Sequence, residues 1–292
     1  ELVAQPSKHA QPIGRVIEVL GNYADPGMEI EIALRKFDLP HEFSKRAQAQ
    51  AQATPDSVRE EEFKGRKDLR ELAFVTIDGE TARDFDGAVF CRPEGKNFRL
   101  WVAIADVSHY VRHDDALDLE ARERGTSVYF PRRVIPMLPE KLSNGICSLN
   151  PKVERLAMVC EMAVTPRGEV AGYEFYPAVF RSSARLTYTQ VWESLSKKNA
   201  PPHVRDLYDV FRVLLEARSR RGAIDFETVE TRMLFDPKGK IERIVAEPRN
   251  DAHRLIEECM LAANVCAGNF LAEHAHPALY RVHDVPSSEK VT

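Results

Sequence analysis

The sequence predicts an α+β fold, and three observations carry that expectation. Residues 73–181 contain several short apolar runs that read as strands. From Val204 the apolar residues change to a 3–4 spacing, the signature of an amphipathic helix. Asn250 then opens the longest helical stretch, where its side chain suits the first unpaired amides and Asp251 suits the positive helix end.

Taken in order, Gly14 to Gly21 reads as a strand, followed by a Pro/Gly-containing loop over Asn22 to Gly27. Met28 to Phe37 fits a strand or a short helix, and periodicity leaves both open. Ser44 to Ala53 is rich in Ala and Gln, and Thr54-Pro55 is a helix-start signal, so residues 43–72 are expected to be a helical linker. Strands are expected at 73–77, 87–91, 98–105, 157–165 and 170–180. Asp114 to Arg124 reads as a short charged helix capped by Gly125. Val204, Leu207, Tyr208, Phe211, Leu214 and Leu215 line one face of a helix that Gly222 stops. The last helix, Asp251 to about Glu273, buries Leu255, Ile256, Cys259, Met260, Ala263 and Cys266.

At 292 residues the chain suits one large domain or two ordinary ones. Its 43% hydrophobic and 29% charged content fits a globular protein with a sizeable core. No uninterrupted apolar run reaches the roughly 18 residues of a bilayer span, and the N-terminus lacks a signal-peptide pattern. No membrane partner is therefore expected. The five cysteines show no metal-ligand spacing and read as reduced thiols of a cytoplasmic protein. A net charge of -4 excludes a globally basic nucleic-acid binder but leaves local basic runs at 64–70, 132–133 and 218–221. Glu1 in place of Met, and an end soon after an expected strand, suggest a piece of a longer protein.

The most informative stretch is residues 76–90, where Asp78, Asp84 and Asp86 follow an apolar run. A second run, Leu100 to Ala105, ends in Asp106. Carboxylates at strand ends and in the adjoining turn can share one cleft, and such hard oxygen ligands suit Mg²⁺. An ordinary polar turn has the same composition, so spacing alone leaves both readings open.

Several further blocks decide between them. Thr76-Ile77-Asp78 with Asp84-Phe85-Asp86, Val102 to Ser108, Gly125 to Pro131, Ile135 to Pro139, Leu142-Ser143 with Cys147-Ser148-Leu149, and Ile256 to Met260 with Ala263-Asn264 follow in order. Together they resemble the ribonuclease II/ribonuclease R family of 3′→5′ exoribonucleases, its ribonuclease R branch most of all. The resemblance implies a mixed α/β catalytic domain of RNB type, incomplete, over residues 73–292. It also implies the end of an OB-type cold-shock barrel over residues 1–42, a fold that grips single strands by stacking and a basic groove.

The resemblance further implies Mg²⁺-dependent, processive hydrolysis of single-stranded RNA to nucleoside 5′-monophosphates. Asp78, Asp84 and Asp86 are the expected catalytic metal ligands. A fourth family aspartate falls on Gly87, which has no ligand oxygen. Tyr129 and Phe226 are expected to bracket a stack of 3′-terminal bases, although by themselves they read as core aromatics. Tyr188 and Glu258 are the expected contacts to the 2′-hydroxyl that distinguishes RNA from DNA, although a helical Glu is more often solvent-facing. His109 is read as structural. The implied partners are single-stranded RNA and the ribosome or RNA-decay machinery, with the protein a monomer. The rival expectation is an RNA-binding form made inactive by Gly87 and truncation.

Overall fold

The structure, a computed structural model, describes the chain apart from residues 1, 9, 24, 224–228, 248, 281, 283 and 292. The chain forms two compact units. One comprises residues 1–56, 107–145 and 227–248, the other residues 57–106, 146–226 and 249–292.

The second unit is built on a seven-stranded mixed sheet. Its strands are β1 (Lys67–Asp68), β2 (Val75–Asp78), β3 (Gly87–Glu94), β4 (Asn97–Ala105), β5 (Glu154–Val164), β6 (Val170–Arg181) and β7 (Ala184–Thr187). The spatial order is β7-β2-β3-β4-β5-β6-β1. The five central strands pair antiparallel, and the two edge strands join parallel. The five strands expected from sequence are all present.

Alternation explains which face is buried where. Val75 and Ile77, Val89 and Cys91, Leu100 and Val102, and Cys160 and Met162 share one face. Three helices cover it: α1 (Tyr188–Ser196), α2 (Pro202–Arg220) and α3 (Asp251–Glu273). Helix α2 contributes Val204, Leu207, Val210, Phe211 and Leu214, and α3 contributes Ala252, Leu255, Cys259, Ala263 and Cys266. The other face carries Phe74, Phe90, Trp101 and Phe180, in contact at ring-centroid distances of 4.9–5.9 Å. Helix α2 lies so close to the β5–β6 turn that a Cβ on Gly168 would collide with the Val213 backbone. Gly168 also has a positive φ of 71°, so glycine is required there twice over.

Helix α3 starts where the sequence places it, with Asn250 Oδ1 accepting from the Ala252 N–H at 3.0 Å. By length and composition alone this helix is apolar enough to cross a bilayer, which the scan for uninterrupted apolar runs misses. Its stripe Ala252, Leu255, Cys259, Ala263 and Cys266 is buried against the sheet and the other helices. All five cysteines are free and buried.

The first unit contains helices Met28–Lys36, Lys45–Ala53 and Ala116–Arg124, with hairpins Val128–Phe130/Arg133–Ile135 and Glu230–Phe235/Ile241–Glu247. Met28–Lys36 settles the open reading as a helix, whose Ile30 and Leu34 pack with Ile135. Two expectations are corrected. Thr54 does not start a helix but ends one, capping Lys45–Ala53, because Ser44 already supplies the N-cap by accepting from the Ala47 N–H. The strand expected over Gly14 to Gly21 is reduced to Ile13–Gly14, paired with Leu2–Ala4. A strand persists only where a neighbour takes its backbone hydrogen bonds, and the described residues offer none there, which leaves Val16, Ile17 and Val19 exposed. Gly125 caps Ala116–Arg124 as expected, with a positive φ and its N–H donating to Ala121 O at 2.8 Å.

Candidate active site

The site forms at the edge of the seven-stranded sheet. Asp78 is the last residue of β2, and Gly87 is the first of β3. The intervening loop, residues 79–86, has no regular structure, so side chains from elsewhere must hold its backbone. Arg185, on β7, donates to the carbonyls of Gly79, Glu80 and Ala82 at 2.8–3.3 Å and lies over the Phe85 ring. Buried Ser148 accepts from the Phe85 N–H and donates to Arg83 O, both at 3.0 Å. Leu149 N–H donates to Phe85 O at 2.7 Å, and Ala105 N–H to Asp86 O at 2.9 Å. Thr189 fastens the Glu80 carboxylate at 2.6 Å.

This scaffold gathers three carboxylates. Burial pushes Asp78 up to about 6, reinforced by the charges of Asp86 and Asp84 and opposed by Arg185. Asp86 is also raised, chiefly by desolvation and further by the charge of Asp84, against the lowering effect of a backbone hydrogen bond. Carboxylates that resist ionisation through burial, with repulsion between neighbours adding to it, are a donor set that a divalent cation would relieve. That chemistry fits Mg²⁺. Among the described residues, however, no three acidic, His or Cys side chains converge tightly enough to close round an ion. Asp106, just past the end of β4, is held in a half-buried ion pair with Arg66 at 2.7 Å.

At Gly87, where the resemblance places a fourth aspartate, the structure sets an apolar side chain nearby. A Cβ built there would meet Met260 Cε at 2.8 Å and Ile104 Cδ1 at 3.8 Å. Helix α3 thus lays its methionine over the position next to Asp86.

Tyr188 is brought to the same place by register. Thr187, the last residue of β7, sits opposite Asp78 in the parallel ladder, and Tyr188 follows as the first residue of α1. Its phenol is pushed up to about 12 by burial and by the charges of Asp78, Glu257 and Asp86. Its ring stacks on His253 of α3 with centroids 4.0 Å apart.

The other RNA-binding candidates fare differently. Glu258 is buried, 4% exposed, and accepts from Arg218 at 2.8 Å. The glutamate whose charge acts on Tyr188 is Glu257, one residue earlier and exposed. Adjacent helical residues differ by roughly 100° in direction, so two neighbouring glutamates serve different surroundings. Burial against Arg218 removes the solvent-facing reading of Glu258, while its expected contact to a ribose 2′-hydroxyl stays an expectation. Tyr129 is 65% exposed on the short strand Val128–Phe130 of the first unit, which is not the environment of a core aromatic. Phe226 lies outside the described residues. His109 sits in a short turn with its ring edge-on to Tyr110. Sequence reasoning missed Arg185, Ser148, His253, Glu257 and Met260. Three of these, Ser148, Glu257 and Met260, lie inside blocks that already stand out in the sequence.

Comparison with known proteins identifies the class. The RNB domain profile matches residues 66–292 and the Cold shock domain profile residues 1–44. The chain belongs to the RNB domain family. It is 50% identical to Ribonuclease R of Escherichia coli over 301 residues, and 51% identical to that of Vibrio cholerae. Each alignment covers 100% of this chain and 37% of the relative, so the chain spans little more than a third of those proteins. The structure resembles Mycoplasma genitalium RNase R in complex with ribose methylated single-stranded RNA, with a TM-score of 0.88 and 33% identity. That match covers 94% of this chain and 44% of the other.

Proposed function

We propose that this chain supplies the hydrolytic site of a 3′→5′ exoribonuclease acting processively on single-stranded RNA, with Mg²⁺ as cofactor. The gathering of Asp78, Asp84 and Asp86 beside Tyr188 carries this reading. The names of the relatives support it, and so do the M. genitalium structures with single-stranded and double-stranded RNA.

In the reaction, water attacks the terminal phosphorus and the bond to the preceding 3′ oxygen breaks. That oxygen leaves protonated, and a nucleoside 5′-monophosphate is released. Asp78, Asp84 and Asp86 would hold Mg²⁺, which when bound supplies Lewis-acid charge for the phosphoryl oxygens. Arg185 and Ser148 keep the aspartate loop in one conformation, so the carboxylates need no reordering when substrate arrives. Tyr188 offers a phenol O–H that stays protonated at neutral pH and can donate to, or accept from, a ribose 2′-hydroxyl. Tyr129 and Phe226 are assigned to base stacking, which is worth roughly 1–3 kcal/mol per base and tolerates any sequence. The ribosome or RNA-decay machinery is the proposed wider setting, with the protein a cytoplasmic monomer whose buried free thiols suit a reducing compartment.

A second reading has its own observation. Met260 occupies the approach to Gly87 where a further carboxylate would stand, and this favours a form that grips RNA without cleaving it. Single-stranded RNA labelled at its 5′ end and incubated with Mg²⁺ separates the readings. A ladder shrinking from the 3′ end, absent in Asp86→Asn, supports hydrolysis at this site. Equal digestion by Asp86→Asn would overturn it. Tight RNA binding with no digestion by the parent protein would establish the second reading.

A further inference from the structure

We infer that His253 is a positioning residue for ribose recognition, holding the Tyr188 ring where its phenol can meet the 2′-hydroxyl of the bound strand. The inference rests on the assignment of Tyr188 to ribose contact made above.

The geometry has three links. Asn250 caps α3, and its backbone N–H donates to His253 Nδ1 at 3.3 Å while its Oδ1 accepts from the Ala252 N–H. The imidazole is thereby tied to the start of the 23-residue helix. Its face lies on Tyr188 with a 4.0 Å centroid separation and a 21° interplanar angle, a close stack over much of the ring. Tyr188 itself sits at a junction, one residue past the Thr187–Asp78 register position and at the first position of α1. Its backbone is therefore fixed by the sheet, but a tyrosine ring at a strand–helix junction still has rotamers to choose among. The stack selects one. The register that sets Thr187 opposite Asp78 puts Tyr188 beside the acidic loop, where the charges of Asp78, Glu257 and Asp86 act on its phenol.

Without the imidazole, the ring would exchange among rotamers and the phenol would meet a ribose only part of the time. Contacts elsewhere along the strand would be unaffected. The loss should therefore appear in discrimination between ribose and deoxyribose, and not in general nucleic-acid affinity. A stacked aromatic pair of this kind corresponds to about a threefold to tenfold population bias.

The test is a binding measurement in EDTA, which prevents turnover and works whether or not the protein cleaves RNA. Fluorescence anisotropy compares an oligoribonucleotide with the same oligomer carrying 2′-deoxyribose at its last three nucleotides. The ratio of the two dissociation constants is the readout, taken for the parent, Tyr188→Phe, His253→Ala and His253→Phe. Thermal melts of each variant show that it is folded. The expected result is that Tyr188→Phe collapses the ratio. His253→Ala should lower it about threefold to tenfold with deoxy-oligomer affinity within about twofold, and His253→Phe, which restores a ring, should recover most of it. If Tyr188→Phe shifts the ratio but His253→Ala does not, the positioning role is wrong and the tyrosine assignment stands. An unchanged ratio in Tyr188→Phe refutes the assignment of the tyrosine, and this inference with it. Equal weakening of both oligomers by His253→Ala would mark a merely structural residue.

Discussion

Replacing Gly87 with Asp tests the acidic site most directly. Gly87 has an ordinary strand backbone and no positive φ, so its conformation bars no side chain. The first obstacle is Met260, whose Cε lies 2.8 Å from the new Cβ. Only the end of a flexible side chain must move, so the cost is about 1 kcal/mol, the low end for overpacking. The second is charge: repulsion from the nearest carboxylate alone adds on the order of 1–3 kcal/mol, the Coulomb cost for a separation of roughly 6 Å at effective dielectric constants of about 20–80. Without metal, Gly87→Asp should therefore lose about 2–4 kcal/mol, a fall of roughly 5–15 °C in melting temperature for a fold of this size. With Mg²⁺ part of that loss is recovered, since a fourth oxygen ligand strengthens binding. A tenfold tighter Kd returns about 1.4 kcal/mol through linkage, and RNA digestion should rise by about tenfold or more. The assay is a thermal melt in EDTA and in Mg²⁺ for the parent, Gly87→Asp and Gly87→Ala, alongside RNA digestion. The reasoning fails if Mg²⁺ raises the melting temperature equally in all three, or if Gly87→Ala loses as much stability in EDTA as Gly87→Asp.

Three further outcomes follow from the same geometry. Asp78 is raised to about 6 from the usual 3.8, so the folded protein binds the extra proton between those values. Metal-free stability should then fall as pH rises from about 4 to about 6, by on the order of 2 kcal/mol. Denaturation across that window should show the loss in the parent and not in Asp78→Asn. Arg185→Ala removes the donor to three loop carbonyls and should cost about 2–3 kcal/mol in urea unfolding while weakening Mg²⁺ binding measured by calorimetry. Glu258→Ala removes the buried carboxylate of the ion pair with Arg218 and should cost about 3 kcal/mol. Glu257→Ala, at an exposed position, should stay within about 0.5 kcal/mol of the parent in the same unfolding experiment.

What the sequence revealed depended on whether a signal was local. The central strands and the long helix were legible because apolar alternation and an Asn cap are written in neighbouring residues. Asp78, Asp84 and Asp86 were legible because the loop that carries them is short. The residues that hold that loop were not, since Arg185 and Ser148 act across sequence separations of 63 to 106 residues. That Glu258 is buried against Arg218 while Glu257 is exposed turned on helix phase, which only packing fixes. Thr54-Pro55 misled because a residue before proline also suits the end of a helix, and Ser44 had already claimed the start.

The alternation of the chain between its two units has a practical consequence. The polypeptide passes from one to the other at 56/57, 106/107, 145/146, 226/227 and 248/249. No single cut in the gene yields either unit whole, and a shuffled chimera made at any one junction would exchange fragments of both. An insertion tolerated by a surface hairpin of one unit still lengthens a tether within the other's path. The N-terminal segment of the first unit must also wait, during synthesis, for residues 227–248 before its last hairpin exists. Engineering this scaffold by module exchange would therefore require transplanting three segments together, or redesigning the order in which the segments are joined.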